Sequence, residues 1–223
     1  MKLRKSLALA TAALVLAGAG GAARAASVDY VGFAWETGGL AVSQPGDQLS
    51  VATVVTQIDP LFEVNLGTHE ATLYIDGLQS TGAAIDGMTG NTIISYSGGT
   101  IAIYADPSPD HDWGTYPANG TVPSTFTDGS LVFSGVFTSF TVIISPAGYG
   151  VYEGFIDGTG GSAVAGPCSN CAYTFSGTFG DPTGAQIPDG YDLQVDGSLE
   201  VENTVASEDV SWGSLKQLFN PNR

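Results

Sequence analysis

Four aspartates crowd into one short stretch of this chain, and their carboxylates have the chemistry of a calcium site. They are Asp106, Asp110, Asp112 and Asp128. Calcium takes hard oxygen ligands that converge from flexible loops, although this spacing does not fit an EF-hand loop. The alternative is a proline-stiffened surface loop whose aspartates form Asx-turns. His111 lies within the stretch, but a single histidine without a second His or Cys is weak support for a transition-metal site.

Three aromatic residues accompany these aspartates and suggest a second kind of chemistry. Trp113 and Tyr116 lie in the same stretch, and Tyr104 lies just before it. Exposed aromatic rings on a β-scaffold stack on sugar rings in carbohydrate-binding modules. Burial in the core is the commoner fate of such side chains. The sequence therefore gives a carbohydrate-binding hypothesis for these three residues and a packing alternative beside it.

The charge balance of the chain limits its partners. The chain has 6 basic and 22 acidic residues, and Lys216 and Arg223 are the only basic residues after residue 25. A domain without Lys or Arg cannot neutralise phosphates, which excludes nucleic acid and disfavours anionic membrane surfaces. Carboxylates that approach each other must be solvated, protonated or bridged by cations. The simpler interpretation is a self-repelling acidic surface.

The first 25 residues have the three zones of a secretory signal peptide. Lys2, Arg4 and Lys5 form the charged start, an uncharged apolar run follows to Gly21, and Ala23–Ala25 offers a small-x-small cleavage pattern. We expect an exported protein that begins near residue 26 and is found outside the cell, on its surface or in the periplasm. No later segment is long and apolar enough to predict a membrane-spanning helix.

The remaining chain predicts a single all-β domain. Short runs rich in Val, Ile, Thr, Tyr and Phe, each ended by Gly, Asp, Pro or Ser, predict about ten strands. The runs are 28–35, 49–58, 71–78, 92–97, 100–105, 131–137, 139–145, 149–157, 172–179 and 191–201. Six Asp-Gly pairs suggest tight turns and therefore antiparallel meanders. We expect a jelly-roll-like antiparallel β-sandwich over residues 26–202.

Residues 203–223 change character and predict a polar linker followed by a short helical tail. Trp212, Leu215, Leu218 and Phe219 have helical spacing, and Asn220 and Pro221 end the pattern. Such a tail either packs on the domain or is recognised by export or attachment machinery.

Cys168 and Cys171 are the only cysteines. In an exported protein, two cysteines this close together are expected to form a local structural disulfide. A redox site would need a βαβ context, a c-type haem site would need a histidine after the second cysteine, and zinc would need two more ligands.

No catalytic motif stands out in the sequence. A nucleophile elbow, a zinc-protease helix and a phosphate-binding loop are all absent. Glycoside hydrolysis needs two carboxylates a few ångströms apart. Glu36, Glu63, Glu70 and Glu153 are conceivable members of such a pair, but the sequence does not bring any two of them together. We therefore expect a protein that is not an enzyme.

Two sequence runs carry a resemblance to a known class of proteins. The run Gly99–Tyr104 and the run Val122–Gly129, together with the signal peptide, resemble exported bacterial β-proteins rich in Gly, Thr and Asp, including those with PEP-CTERM sorting tails. The Pro-Glu-Pro motif, apolar span and basic terminus of a PEP-CTERM tail are missing here. The resemblance implies export and a β-fold, and it carries no catalytic residues.

These observations favour an exported, non-enzymatic envelope or extracellular-matrix protein with a structural or adhesive role. A calcium-assisted carbohydrate-binding module is the alternative, and a polysaccharide-active enzyme is the third hypothesis.

Overall fold

The computed structural model describes residues 26–40, 43–114, 124–165, 171–180 and 187–203. Nine strands and three short helical segments follow one another along these residues. The strands are β1 (Ala26–Glu36), β2 (Gln48–Ile58), β3 (Glu70–Ile85), β4 (Thr92–Ser97), β5 (Thr100–Asp106), β6 (Ser130–Ile144), β7 (Gly150–Gly160), β8 (Cys171–Gly180) and β9 (Leu193–Asn203). The helical segments are a 3-10 turn (Pro60–Phe62), α1 (Ser124–Thr127) and α2 (Ser162–Ala165).

The strands form one antiparallel sheet that closes on itself. β1 pairs with β2, β2 with β3, and β6 through β9 pair in succession. The first strand also pairs with the last, from Ala26 opposite Val201 to Ala34 opposite Leu193. The result is an eight-stranded antiparallel β-barrel. The expected β-sandwich is therefore wrong, because a sandwich needs two separate sheets and this pairing leaves one continuous ring.

β4 and β5 share a single position in the ring, which is how nine strands make an eight-stranded barrel. β3 pairs with β4 through Gln79–Ile85 and with β5 through Glu70–Asp76. Between the two short strands lie Gly98 and Gly99, with φ of 69° and 89°. Only glycine adopts these positive φ angles readily. The glycine pair thus interrupts a strand that otherwise runs the length of its neighbour.

Alternating side chains fill the barrel interior. In β1 every second residue is buried, from Ala26 through Tyr30 to Glu36. The Tyr30 ring stacks on Phe175 with ring centroids 4.8 Å apart, and its hydroxyl lies 3.0 Å from the Tyr152 hydroxyl. Since apolar side chains from all sides meet here, the barrel encloses a packed hydrophobic core.

Glycines make room for these large rings where the barrel closes. Gly197 pairs with Tyr30 on β1 and with Gly177 on β8. A Cβ on Gly197 would come within 2.6 Å of the Tyr30 hydroxyl, and one on Gly177 within 2.3 Å of the Tyr152 hydroxyl. Larger residues at these two positions would clash with the tyrosine hydroxyls and with backbone carbonyls of the neighbouring strands.

Each predicted strand overlaps an observed one, but β3 continues to Ile85, seven residues beyond the predicted end at residue 78. The runs 131–137 and 139–145 form one strand, β6, in which the pairing with β7 shifts between Phe137 and Ser139. In addition, the Asp-Gly pairs at Asp76, Asp157 and Asp196 lie inside strands and not in turns. The turn interpretation of these three pairs is wrong.

Within the described residues, no helix has both the length and the apolar character required to cross a membrane. The predicted signal peptide, residues 1–25, and the helical tail beyond Asn203 lie outside the described residues.

Candidate functional site

The connection between β5 and β6 lies against the outside of the barrel. Its two described parts, 107–114 and 124–129, are joined by a hydrogen bond from the Asp112 amide to Thr125 Oγ1, at 3.1 Å. The indole N–H of Trp113 donates to the Ala52 carbonyl of β2 at 3.3 Å. Thr72 of β3 donates its hydroxyl proton to the Phe126 carbonyl at 2.9 Å. These bonds fix the connection to the outer face of β2 and β3.

Aromatic packing holds the same connection in place. Trp113 meets Phe33 of β1 edge-on at a centroid distance of 5.1 Å and lies 5.6 Å from Phe126, which is fully buried. Tyr191, just before β9, contacts Phe33 and donates its hydroxyl proton to the Trp113 carbonyl. Together with Trp35 and Tyr74, these side chains form an outer aromatic cluster. Through these contacts Trp113 anchors the connection to the barrel. The residue is partly buried as a result.

Three of the four predicted calcium ligands converge at the edge of this connection. Carboxylate oxygens of Asp106, Asp110 and Asp128 lie within 4.8 Å of one another. Asp112 is not part of the group, and its Oδ1 accepts a hydrogen bond from the Gly114 amide at 2.8 Å. Local desolvation and then the charges of Asp128 and Asp106 raise the pKa of the Asp110 carboxyl above its ordinary value. The group is thus a concentration of negative charge that could hold a cation.

Glu70, at the start of β3, holds the segment that carries Asp110. Its Oε1 accepts hydrogen bonds from the amides of Asp110 and His111, at 3.2 and 3.0 Å, and its Oε2 contacts His111 Nδ1. His111, which the sequence offered only as weak support for a transition-metal site, therefore pairs with a carboxylate, and Glu70 is engaged in a structural contact. Glu153, another carboxylate considered for catalysis, is exposed on the outer face of β7.

The remaining predicted residues are placed as follows. Tyr104 lies on the outer face of β5, partly exposed, on the same side as Asp106 two residues later. Cys171 begins β8. Tyr116 and Cys168 lie outside the described residues, so the disulfide stays a prediction.

A buried carboxylate lies at one end of the barrel, at Glu36, a residue that the sequence suggested only as a conceivable member of a glycosidase pair. Glu36 ends β1, faces inward and is 5% exposed. Its Oε1 accepts a hydrogen bond from Ser43 Oγ at 2.5 Å, and its Oε2 accepts one from the Tyr96 hydroxyl at 2.6 Å. Ser43 Oγ also lies 2.6 Å from Ser80 Oγ. This Glu36 cluster ties β1 to β3, β4 and the β1–β2 loop.

The surroundings of Glu36 favour its protonated form. Burial raises the pKa of the Glu36 carboxyl, and the negative charges of Asp47 and Asp192 raise it further, against the opposing effect of the hydrogen bonds from Ser43 and Tyr96. Asp192 Oδ2 also accepts a hydrogen bond from the Glu36 amide at 2.7 Å, and partial desolvation raises the pKa of the Asp192 carboxyl. The described residues include no Lys or Arg, so no permanent positive charge opposes these carboxylates.

The alternation of inward and outward residues along β1 is a sequence signal that predicts the inward position of Glu36. Counting every second residue from Val28 places Glu36 on the same face as Tyr30 and Ala34. An inward carboxylate at a strand end is a candidate for a perturbed pKa.

Comparison of the chain with models of protein families, with curated proteins and with solved structures finds no match.

We expect Glu36 to make the stability of the barrel depend on pH. A raised pKa in the folded state means that the fold binds more protons than the unfolded chain, so stability is full below the unfolded pKa and falls as pH rises through the folded pKa. In Glu36→Gln, the loss of unfolding free energy between about pH 4 and about pH 8 should be smaller, by roughly 1.4 kcal/mol for each pH unit by which the folded pKa exceeds the unfolded one. Chemical denaturation at several pH values measures it.

Glu200→Gln is the matched control, because Glu200 is exposed on the outer face of β9. Its stability curve should run parallel to that of the wild type. If the Glu36→Gln curve also runs parallel, the carboxyl is not preferentially protonated in the fold.

Proposed function

We propose that this protein is an exported, non-enzymatic component of the cell envelope or extracellular matrix that contacts other components through the outside of its barrel. The observation that carries the proposal is the filled interior. A cavity of about 20 Å³ lies in the barrel, lined by apolar side chains such as Leu40, Phe140 and Phe179. Ligand pockets are usually about 300–1,000 Å³, so a small-molecule ligand has no room in this cavity.

The outer surface supports a structural or adhesive role. Exposed carboxylates such as Asp157, Asp196 and Glu200 project from β7 and β9, and Lys and Arg are absent from residues 26–203. A surface of one sign repels its own copies and nucleic acid. Its partners would be polysaccharides, cations or basic envelope components.

Localisation in the producing cells tests this proposal. Antibodies against the barrel should label the surface of intact cells or the matrix around them, and the purified protein should begin near residue 26 because the signal peptide is removed. Immunogold microscopy and amino-terminal sequencing measure these two properties. Recovery in the cytosolic fraction with residues 1–25 still attached would contradict the proposal.

Calcium-assisted carbohydrate binding is the second candidate, and the convergence of Asp106, Asp110 and Asp128 favours it. Calcium bound there would bridge carboxylates that otherwise repel each other. Tyr104 lies partly exposed on the same face as Asp106, which would let a sugar ring contact the tyrosine beside the ion. Stacking on the sugar ring would then depend on Tyr104, because the partly buried Trp113 packs against the barrel and anchors the connection.

Thermal melts with calcium and with a chelator test the ion site. At a concentration about 100 times its Kd, a bound ion adds roughly 2.7 kcal/mol to stability, which is about 5–10 °C in Tm for a domain of this size. Asp110→Asn should abolish the increase, whereas Asp157→Asn, an exposed aspartate on β7 outside the group, should retain it. An unchanged wild-type Tm at low ionic strength would rule out the calcium site.

A further inference from the structure

One wall of the barrel carries almost no charge, although the protein as a whole is acidic. Residues 77–105 contain one charged residue, Asp86, which lies in the turn between β3 and β4, and residues 129–152 contain none. These ranges supply β4, β6 and all of β5 except its last residue, and β6 pairs with both of the other strands. Three strands that share pairings thus present an uncharged outer face.

A row of apolar side chains crosses this wall. Ile93 of β4 pairs with Ile143 of β6, and Ile143 also pairs with Val151 of β7. All three face outward, because the neighbouring residues of each strand are buried in the core: Ile94, Val142 and Tyr152. Paired side chains on one face of a sheet lie about 5 Å apart. The three residues therefore form one continuous surface, which we call the Ile143 row.

Tyr149, in the turn before β7, extends the Ile143 row toward β8. Its side chain is 66% exposed. A Cβ on Gly180 would lie 3.5 Å from the tyrosine ring, and Gly180 faces outward because Phe179 faces the core. The nearest carboxylate on β7, that of Glu153, belongs to the next row, where it lies opposite Thr141. The apolar surface thus continues across four strands without a charged residue inside it.

The other uncharged strands offer no such surface. β2 has no charged residue, but Trp113 and Phe126 of the β5–β6 connection pack over its outward-facing Ala52. β8 is also uncharged, but it lies between β7 and β9, which carry exposed carboxylates such as Glu153 and Glu200. The Ile143 row is therefore an uncovered apolar surface in an uncharged setting.

Two kinds of occupant are unsuited to the Ile143 row. Its aliphatic side chains offer no hydrogen-bond partners for the hydroxyl groups of a sugar, which would lose those of water. A lipid surface at this end of the barrel would also bury Asp86, whose carboxylate keeps its charge because hydrogen bonds from the Thr89 hydroxyl and the Met88 amide lower its pKa. Burying an unpaired charge is costly.

We propose that the Ile143 row is a contact surface between two copies of this protein, with the row of one copy packed on the row of the other. Apolar side chains meet there and leave no polar group unpaired. Elsewhere on the outer surface, two copies would bring carboxylates against carboxylates, which is unfavourable. A symmetric dimer uses the same surface on both copies, and this row satisfies that requirement. The inference goes beyond the proposed function and does not depend on it.

The small size of the row and the charge of the protein determine the strength of this contact. Interfaces below about 1,200 Å² of total buried area belong to weak, transient complexes. The net negative charge of each copy opposes association further. Salt screens that repulsion and leaves apolar contacts in place. The dimer should therefore become more stable at higher salt, whereas an interface held by ion pairs would weaken.

Sedimentation velocity of the full mature chain tests the inference. The weight-average mass should rise from that of a monomer toward that of a dimer between about 10 μM and about 1 mM protein. The dissociation constant should fall at least about threefold between roughly 0.05 M and roughly 0.5 M sodium chloride.

Variants locate the contact. Val151→Glu should raise the dissociation constant at least about tenfold, because it places a carboxylate in the apolar row of both copies. Tyr149→Glu is a second variant in a turn, in case the first does not fold. Leu131→Glu is the matched control, because Leu131 is 42% exposed, close to the 48% of Val151, and lies at the other end of β6 from Ile143. It adds the same charge and should change the dissociation constant less than about twofold. A thermal melt confirms that each variant is folded.

Four outcomes would overturn the inference. A monomer at every protein and salt concentration would mean that the row does not join two copies. A dimer that both Val151→Glu and Tyr149→Glu leave intact would lie on another surface. Equal weakening by Leu131→Glu would show an effect of net charge alone. A monomer that floats with phosphatidylcholine vesicles, and that Val151→Glu releases from them, would identify a lipid surface as the occupant.

Discussion

The pairing of β1 with β9 is the contact on which the rest of the structure depends. These strands are separated by almost the whole domain in sequence, and their antiparallel ladder from Ala26 to Ala34 joins the two ends of the meander. An open sheet would leave two rows of unpaired backbone groups at its edges. Closure satisfies both rows and encloses the aromatic core around Tyr30, Tyr152 and Phe175. Gly197 at the seam and Gly177 on the neighbouring β8 allow the tyrosines to fit.

Closure also determines where the protein can act. Because side chains fill the interior, binding chemistry has to lie on the outside or at the ends of the barrel. On one outer side, the β5–β6 connection covers apolar residues and brings Asp106, Asp110 and Asp128 together. On the opposite side, the outer face of β7 alternates the apolar Val151 and Phe155 with the exposed carboxylates of Glu153 and Asp157. On both sides the carboxylates lie on a fixed barrel wall, and no Lys or Arg of the described residues can neutralise them.

The sequence predicted the strands well and their closure not at all. Alternation and turn residues are local signals, and they placed β4 at its observed bounds, Thr92–Ser97. Whether β1 meets β9 depends on the accumulated twist and stagger of all the strands, which no short pattern records. Short sequence patterns were equally unable to predict which distant residues meet in the candidate sites. Proximity in sequence identified Asp106 and Asp110, but the Glu36 cluster joins residues up to 60 positions apart, and the packing of Trp113 depends on β1 and β2.

Backbone NOEs across the seam between β1 and β9 test the barrel most directly. In the isotope-labelled mature chain, the account predicts cross-strand NOEs between Val28 and Leu199 and between Gly32 and Val195, which are paired residues. It also predicts slow amide exchange along the hydrogen-bonded positions of both strands. Absence of these NOEs, with both strands exchanging rapidly as open edges, would contradict the closed barrel.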